Sequence, residues 1–195
     1  MKISDYRKPV YLDENKRLGE KCFAYCMDGH PSGRGGCGDM ASHIGLPSCH
    51  CSDYFYFDKD AACFVEITKI SKTKENMKER YSYISWADDE NMENEFFKEF
   101  IAKENILKMY GSIVILCWFA HQCGVAKKHL HERRKYKFFL VVDDFKRKDP
   151  KGLDAIKKLL NGRLKSIASG FVAEVSVFGE EEIKSKIAKE AMVAS

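Results

Sequence analysis

Two carboxylates, Asp53 and Glu66, lie in a stretch that otherwise predicts two neighbouring strands. Asp53 begins the first predicted strand, residues 53–57, and Glu66 lies among apolar residues in the second, residues 63–70. An unpaired carboxylate is costly in such a setting, so Glu66 requires a metal ion, a cationic partner or a place at the frayed edge of a sheet. Acids on adjacent strands of a short hairpin can converge on one Mg²⁺ or Mn²⁺ ion, which prefers oxygen ligands.

A metal held in this way would polarise a phosphodiester and lower the pKa of an attacking water molecule. Lys69, near the end of the second predicted strand, or Lys72, just beyond it, would then position that water or stabilise developing negative charge. The alternative interpretation is structural: an edge hairpin in which Glu66 pairs with a nearby lysine.

Cysteines and histidines between residues 22 and 51 form a second candidate site, because four thiolates or imidazoles satisfy a tetrahedral zinc ion. The spacing includes Cys-x₃-Cys and Cys-x-Cys but no pair of Cys-x₂-Cys motifs. Free cysteines are also common as small core residues, so a structural Zn²⁺ and packed thiols both stay open. The set consists of Cys22, Cys26, His30, Cys37, His43, Cys49, His50 and Cys51.

A basic segment later in the chain is a candidate nucleic-acid contact, because clustered cations suit a phosphate backbone. A solvated loop is the alternative. The residues of this segment that we expect to bind DNA or RNA are Lys127, Lys128, Arg133, Arg134 and Lys135.

Composition places the chain among ordinary globular proteins. It has 195 residues, 45% of them hydrophobic and 32% charged, with a formal net charge of +4. That length is enough for one compact domain. The longest apolar stretch is strand-sized, and the N-terminus has no apolar signal-peptide core. We therefore expect a single domain over residues 1–195, in the cytoplasm and without a membrane partner.

Hydrophobic periodicity predicts the elements that must position these groups. A first helix is expected over residues 12–27, followed by a loop over residues 28–52 that is rich in Gly, Cys and His. The hairpin comes next, and then a helix over residues 90–110. Further strands are expected at 112–119, 136–142 and 171–178, a helix at 152–168 and a last helix from about residue 180. This order predicts an α/β fold with a mixed central sheet flanked by helices.

The hairpin resembles the metal-binding strands of the PD-(D/E)XK, or restriction-endonuclease-like, nuclease superfamily. Asp53 at the start of one strand and Phe64-Val65-Glu66-Ile67 on the next carry the resemblance. It implies an αβββαβ core with a C-terminal extension, with the first helix at residues 12–27. It also implies Asp53 and Glu66 as metal ligands and catalytic residues, Lys69 as the basic catalytic group, and a Mg²⁺-dependent or Mn²⁺-dependent endonuclease of host defence or a mobile element.

The chain departs from the superfamily pattern at two positions. Ser52 stands where a proline precedes the aspartate, and Thr68 stands where the motif lysine belongs. Strand alternation directs Lys69 to the opposite face from Thr68 unless a bulge intervenes. Two other functions therefore stay open: a catalytically inactive nuclease fold that binds nucleic acid or a protein partner, including a second copy of the chain, and a zinc-stapled interaction module.

Overall fold

The structure is a computed structural model that describes residues 3–13, 15–28, 39–46, 49–58, 61–84, 90–123, 135–143, 150–168 and 172–193. A 3₁₀ turn at Ile3–Tyr6 precedes six strands and five helices in this part of the chain. The strands are β1 (Arg7–Pro9), β2 (Phe23–Cys26), β3 (Tyr54–Asp58), β4 (Ala61–Thr68), β5 (Lys135–Val142) and β6 (Val172–Phe178). The helices are α1 (Met40–His43), α2 (Ile70–Arg80), α3 (Glu90–Cys123), α4 (Pro150–Ala168) and α5 (Glu180–Val193).

All six strands belong to one mixed sheet, in which their spatial order is the same as their order in the sequence. The pairs β1–β2, β2–β3 and β3–β4 are antiparallel, whereas the pairs β4–β5 and β5–β6 are parallel. The change occurs at β4, where Glu66 pairs with Leu140 of β5. Parallel neighbours need a crossover, and α3 and α4 supply the two crossovers. The expected mixed α/β architecture is confirmed.

Side chains of the central strands alternate between two apolar clusters, as the period of a β-strand requires. Phe64 and Phe138 pack in a cluster with residues of α1, α2, α3 and α4 on one face of the sheet. Val65 and Phe139 pack in the other cluster, which includes Ile187 of α5. Strands that are buried on both faces have few polar residues, and Glu66 is the exception in the middle of β4.

The prediction of a helix over residues 12–27 is wrong, because the chain forms a turn and then strand β2 there. The Asp13 side chain accepts hydrogen bonds from the backbone amides of Asn15 and Lys16, both at 2.9 Å. This turn directs the chain back on itself, with a bridge between Tyr11 and Arg17. Phe23–Cys26 then forms β2 with alternating burial. Sheet pairing on both sides outweighed a helical pattern that depended on only a few apolar positions.

The strand that the sequence predicted over residues 112–119 is also wrong, because α3 continues through it to Cys123. Ile115, Leu116 and Phe119 are buried, whereas Val114 and Trp118 are exposed. That periodicity is helical, and a short apolar run alone does not distinguish a buried strand from a helix.

The hairpin, the start of α3, and the elements β5, α4, β6 and α5 agree with prediction to within about three residues. In the described ranges, no helix combines the length and apolar character needed to cross a membrane.

Candidate metal and phosphodiester site

The hairpin of β3 and β4 holds Asp53 and Glu66 next to each other. Tyr54 pairs with Val65, so continuing the register by one residue places Asp53 opposite Glu66. A hydrogen bond of 2.7 Å from the Ile67 amide to Asp53 Oδ2 fixes that carboxylate. Strand alternation directs both acids to the face of the sheet that α3 covers.

A lysine from α3 completes the group. Lys108 Nζ donates a hydrogen bond to Glu66 Oε1 across 42 residues of sequence. Its side chain is 26% exposed, whereas that of Glu66 is only 6% exposed. The ammonium group therefore lies between the buried carboxylate and solvent.

A close approach of α3 to the hairpin makes this contact possible. One helical turn beyond Lys108, Ser112 accepts a hydrogen bond from the Ser52 amide at 2.8 Å and donates one to the Lys108 carbonyl at 2.7 Å. A Cβ at Gly111 would lie 1.8 Å from the backbone oxygen of His50. Only glycine allows the helix to pack so closely against the segment that leads into β3.

The electrostatics of the group are those of acids that are taken out of water beside a cation. Burial, reinforced by Asp53, raises the pKa of Glu66 to about 8. Burial also raises the pKa of Asp53, although Lys108 opposes the rise. Burial alone would lower the pKa of Lys108, but Glu66 and Asp53 outweigh it and hold that pKa above its usual value. Asp28, just beyond β2, adds further negative charge that raises the pKa of both acids.

The donor set suits a hard divalent cation. Glu66 Oε2 is buried and accepts no hydrogen bond from any described atom, which leaves a carboxylate oxygen available as a ligand. Two carboxylates are a common protein contribution for Mg²⁺, which retains several water ligands. No three His, Cys, Asp or Glu side chains within the described ranges cluster in a way that could hold a metal ion by themselves.

A polar cleft of about 570 Å³ leads to Glu66. Its walls are α2, the turn after β1 and the end of β4. The polar residues that line it include Asp13, Asn15, Glu66, Lys72, Asn76 and Lys108. We call this the carboxylate cleft.

Lys69 lines the same cleft, but its ammonium group has other partners. Its Nζ lies 3.2 Å from Asp13 Oδ2 and 3.7 Å from Asp143 Oδ2. Asp143 is also bound by Lys16 at 2.7 Å. Thr68 Oγ1, in the motif-lysine position, lies 2.8 Å from Thr73 Oγ1. The cation in contact with Glu66 is therefore Lys108, and the catalytic role of Lys69 stays a prediction.

The described cysteines of the candidate zinc set are free thiols, and all but the partly exposed Cys49 are buried. Cys22 and Cys26 belong to the apolar cluster under α5, and Cys51 belongs to the opposite cluster. Burial raises the pKa of Cys26 to about 12 and also raises the pKa of Cys22, Cys49 and Cys51. His30 and Cys37 lie outside the described residues, so zinc binding by the whole loop stays a prediction.

Most of the predicted nucleic-acid segment also lies outside the described residues. Lys127, Lys128, Arg133 and Arg134 are not among the described residues, and Lys135 begins β5. Their contact with DNA stays a prediction.

Lys108 was absent from the site that the sequence predicted, although a signal for it was present. Asn105, Lys108 and Ser112 recur at helical spacing between apolar residues, and Asn105 and Ser112 are buried. Polar residues in the buried stripe of a helix indicate that something polar faces them. Because a strand was predicted at residues 112–119, the predicted helix ended at residue 110 and Ser112 lay outside it.

No protein-family model, curated protein or solved structure matched the chain in comparisons of its sequence and fold.

Proposed function

We propose that this protein is a metal-dependent nuclease that hydrolyses phosphodiester bonds in DNA, with its centre at Asp53, Glu66 and Lys108. The observation that carries the proposal is the buried Glu66, which has one oxygen bound by Lys108 and the other without a partner among the described atoms, at the end of a polar cleft. Buried carboxylates with raised pKa values and a specific charge partner in a cleft favour a functional site over a structural ion pair.

The fold supports the same proposal. Apart from the insertions of α1 after β2 and α2 after β4, strands β2, β3 and β4, helix α3 and strand β5 occur in the order of the βββαβ part of the restriction-endonuclease-like core. Asp53 directly precedes β3 and Glu66 lies on β4, which agrees with the positions that the resemblance implies. The first helix of the core has no counterpart at residues 12–27, where the chain forms a turn and β2.

Asp53 and Glu66 would hold Mg²⁺ or Mn²⁺. When bound, the ion would polarise the phosphodiester and make a coordinated water molecule more acidic. Because the pKa of Lys108 is held above its usual value, this residue acts as a cation and not as a base. Its ammonium group would donate to a non-bridging phosphate oxygen and stabilise the charge that develops there. We assign to Lys108 the role that the sequence suggested for Lys69.

The test is cleavage of plasmid and single-stranded DNA with Mg²⁺, with Mn²⁺ or with EDTA. We expect cutting that requires the metal and falls at least about a hundredfold in Glu66→Gln, Asp53→Asn and Lys108→Met, the scale on which charge-stabilising groups act. Glu181→Gln changes an exposed carboxylate of α5 and should cut like the wild type. Folded wild-type protein that cuts under no condition would overturn the nuclease proposal.

Two observations favour a second candidate, a nuclease fold that binds nucleic acid or a protein without cutting. Lys108 already supplies a positive charge to Glu66, and Thr68 replaces the motif lysine. In that case isothermal titration would detect no Mg²⁺ or Mn²⁺ binding that depends on Glu66, and DNA would be bound but not cleaved.

A further inference from the structure

One face of α2 forms a wall of the carboxylate cleft. Lys72, Thr73 and Asn76 line the cleft, and their spacing of three and four residues places them on the same side of the helix. Lys72 and Asn76 are exposed. The face therefore presents an ammonium and an amide group to the cleft.

The basic residues elsewhere on α2 are neutralised by the protein. Lys74 and Lys78 contact the two carboxylate oxygens of Glu93 at 2.6 and 2.9 Å. Arg80 contacts Glu104 at 2.8 Å. In contrast, the side chain of Lys72 makes no ion pair or hydrogen bond with any residue of the described ranges, and neither does the side chain of Asn76. Among the residues that the structure describes, the basic side chain of α2 without a carboxylate partner thus lies on the side that faces Glu66.

The size of the cleft favours a single strand over a double helix. Glu66 is only 4% exposed, so a phosphate must enter the cleft to reach it. A volume of about 570 Å³ is that of a pocket for a small ligand. A pocket of that size has no room for a double helix, whereas the sugar-phosphate backbone of one strand can enter it.

We propose that Lys72 and Asn76 of α2 bind the sugar-phosphate backbone of single-stranded DNA and guide one strand along the carboxylate cleft toward Glu66. This inference rests on the proposed function for what happens at Glu66, but not for the binding itself. Phosphate contacts position a strand without reading its sequence, so the site accepts any base composition.

The test is fluorescence anisotropy of a short labelled oligothymidylate in EDTA, so that binding is measured without cleavage. We expect Lys72→Ala to weaken binding about tenfold, the effect of one charge-assisted hydrogen bond. The slope of log affinity against log salt should also fall by about 0.7, one phosphate contact on a single strand. Asn76→Ala should weaken binding by a smaller factor and leave the salt slope unchanged, because it carries no charge.

The matched control is Lys157→Ala, which removes one exposed lysine from α4 and should bind like the wild type. The inference is overturned if Lys72→Ala binds like the wild type, if Lys157→Ala weakens binding equally, or if a duplex of the same length binds as tightly as the single strand. Binding that requires Lys72, together with no cleavage by wild type, would sustain this inference and reject the nuclease. Cleavage that requires Glu66 and is indifferent to Lys72 would do the reverse.

Discussion

At the scale of single residues, two opposing effects determine the pKa of Glu66. Burial and the neighbouring Asp53 disfavour its ionised form, and Lys108 favours it. The result is a carboxyl group whose pKa of about 8 lies far above the ordinary value of 4.5. A group poised in this way affects both stability and ligand binding.

The first prediction concerns the pH dependence of stability. Between about pH 4.5 and pH 8 the folded protein keeps a proton on Glu66 that the unfolded chain has lost. The contribution of Glu66 to the free energy of unfolding is therefore fully present below that window and declines as pH rises through it, by at most about 1.4 kcal/mol per pH unit. Urea denaturation in EDTA should show this decline in the wild type and a shallower one in Glu66→Gln. Identical pH profiles would contradict the raised pKa.

The second prediction concerns Lys108. Lys108→Met removes the cation and leaves Asp53 and Glu66 facing each other, so we expect a loss of about 3 kcal/mol at pH 9, where Glu66 is largely ionised. At pH 5 the loss should be smaller, because Glu66 holds a proton and needs no partner. Denaturant titrations at the two pH values measure the difference.

Lys69→Met is the matched control for that measurement. Its ion pairs with Asp13 and Asp143 involve a side chain that is 38% exposed, so its loss should cost at most about 1 kcal/mol. A larger effect of Lys69 than of Lys108 on stability and on cleavage would return the central role to Lys69.

At the scale of elements, the packing of α3 against the segment before β3 positions the site. Gly111 is the point of contact, and the atom that a Cβ would meet is backbone oxygen, which cannot rotate away. The third prediction is that Gly111→Ala destabilises the protein by about 2 kcal/mol, despite the better helix propensity of alanine. Thermal unfolding followed by circular dichroism measures the change.

Gly162 of α4 provides the comparison, because a Cβ there meets nothing within 4 Å. Gly162→Ala should stabilise the protein by up to about 1 kcal/mol. Opposite signs at the two positions would identify close packing as the cause, whereas stabilisation at both would show that α3 does not approach the hairpin as described.

At the scale of the whole molecule, one sheet separates two apolar clusters, and α5 covers the face opposite α3. Ile187 of α5 is 1% exposed. The fourth prediction is that Ile187→Ala lowers the free energy of unfolding by about 3 kcal/mol, whereas Ser185→Ala, on the exposed side of α5, changes it by less than about 0.5 kcal/mol.

The same variant tests the expectation of a single domain. Trp118 of α3 contributes to the tryptophan fluorescence and lies on the other side of the sheet from Ile187. If the two faces unfold as one unit, the fluorescence and circular dichroism transitions of Ile187→Ala should coincide and shift together. Separate transitions would indicate that the two faces unfold independently.

The sequence by itself determined the elements whose patterns are local and strong. Alternating and continuous apolar residues identified β3, β4, β5 and β6, and the isolated Glu66 among them identified the candidate site. The strand predictions succeeded because they depend on periodicity, which acts within a few residues. The choice of Glu66 depends on the cost of burying a charge, which is equally local, and it stays a prediction.

Only the tertiary structure decided what depends on distant contacts. Residues 112–119 are apolar enough for a strand or a helix, and packing of Ile115 and Phe119 under the sheet selected the helix. That choice brought Lys108 to Glu66, a contact between residues 42 positions apart. Likewise, β2 formed where a helix was expected because it could pair with strands on both sides. Partners so far apart in sequence leave no local pattern, so the cation of the site could not be read from spacing alone.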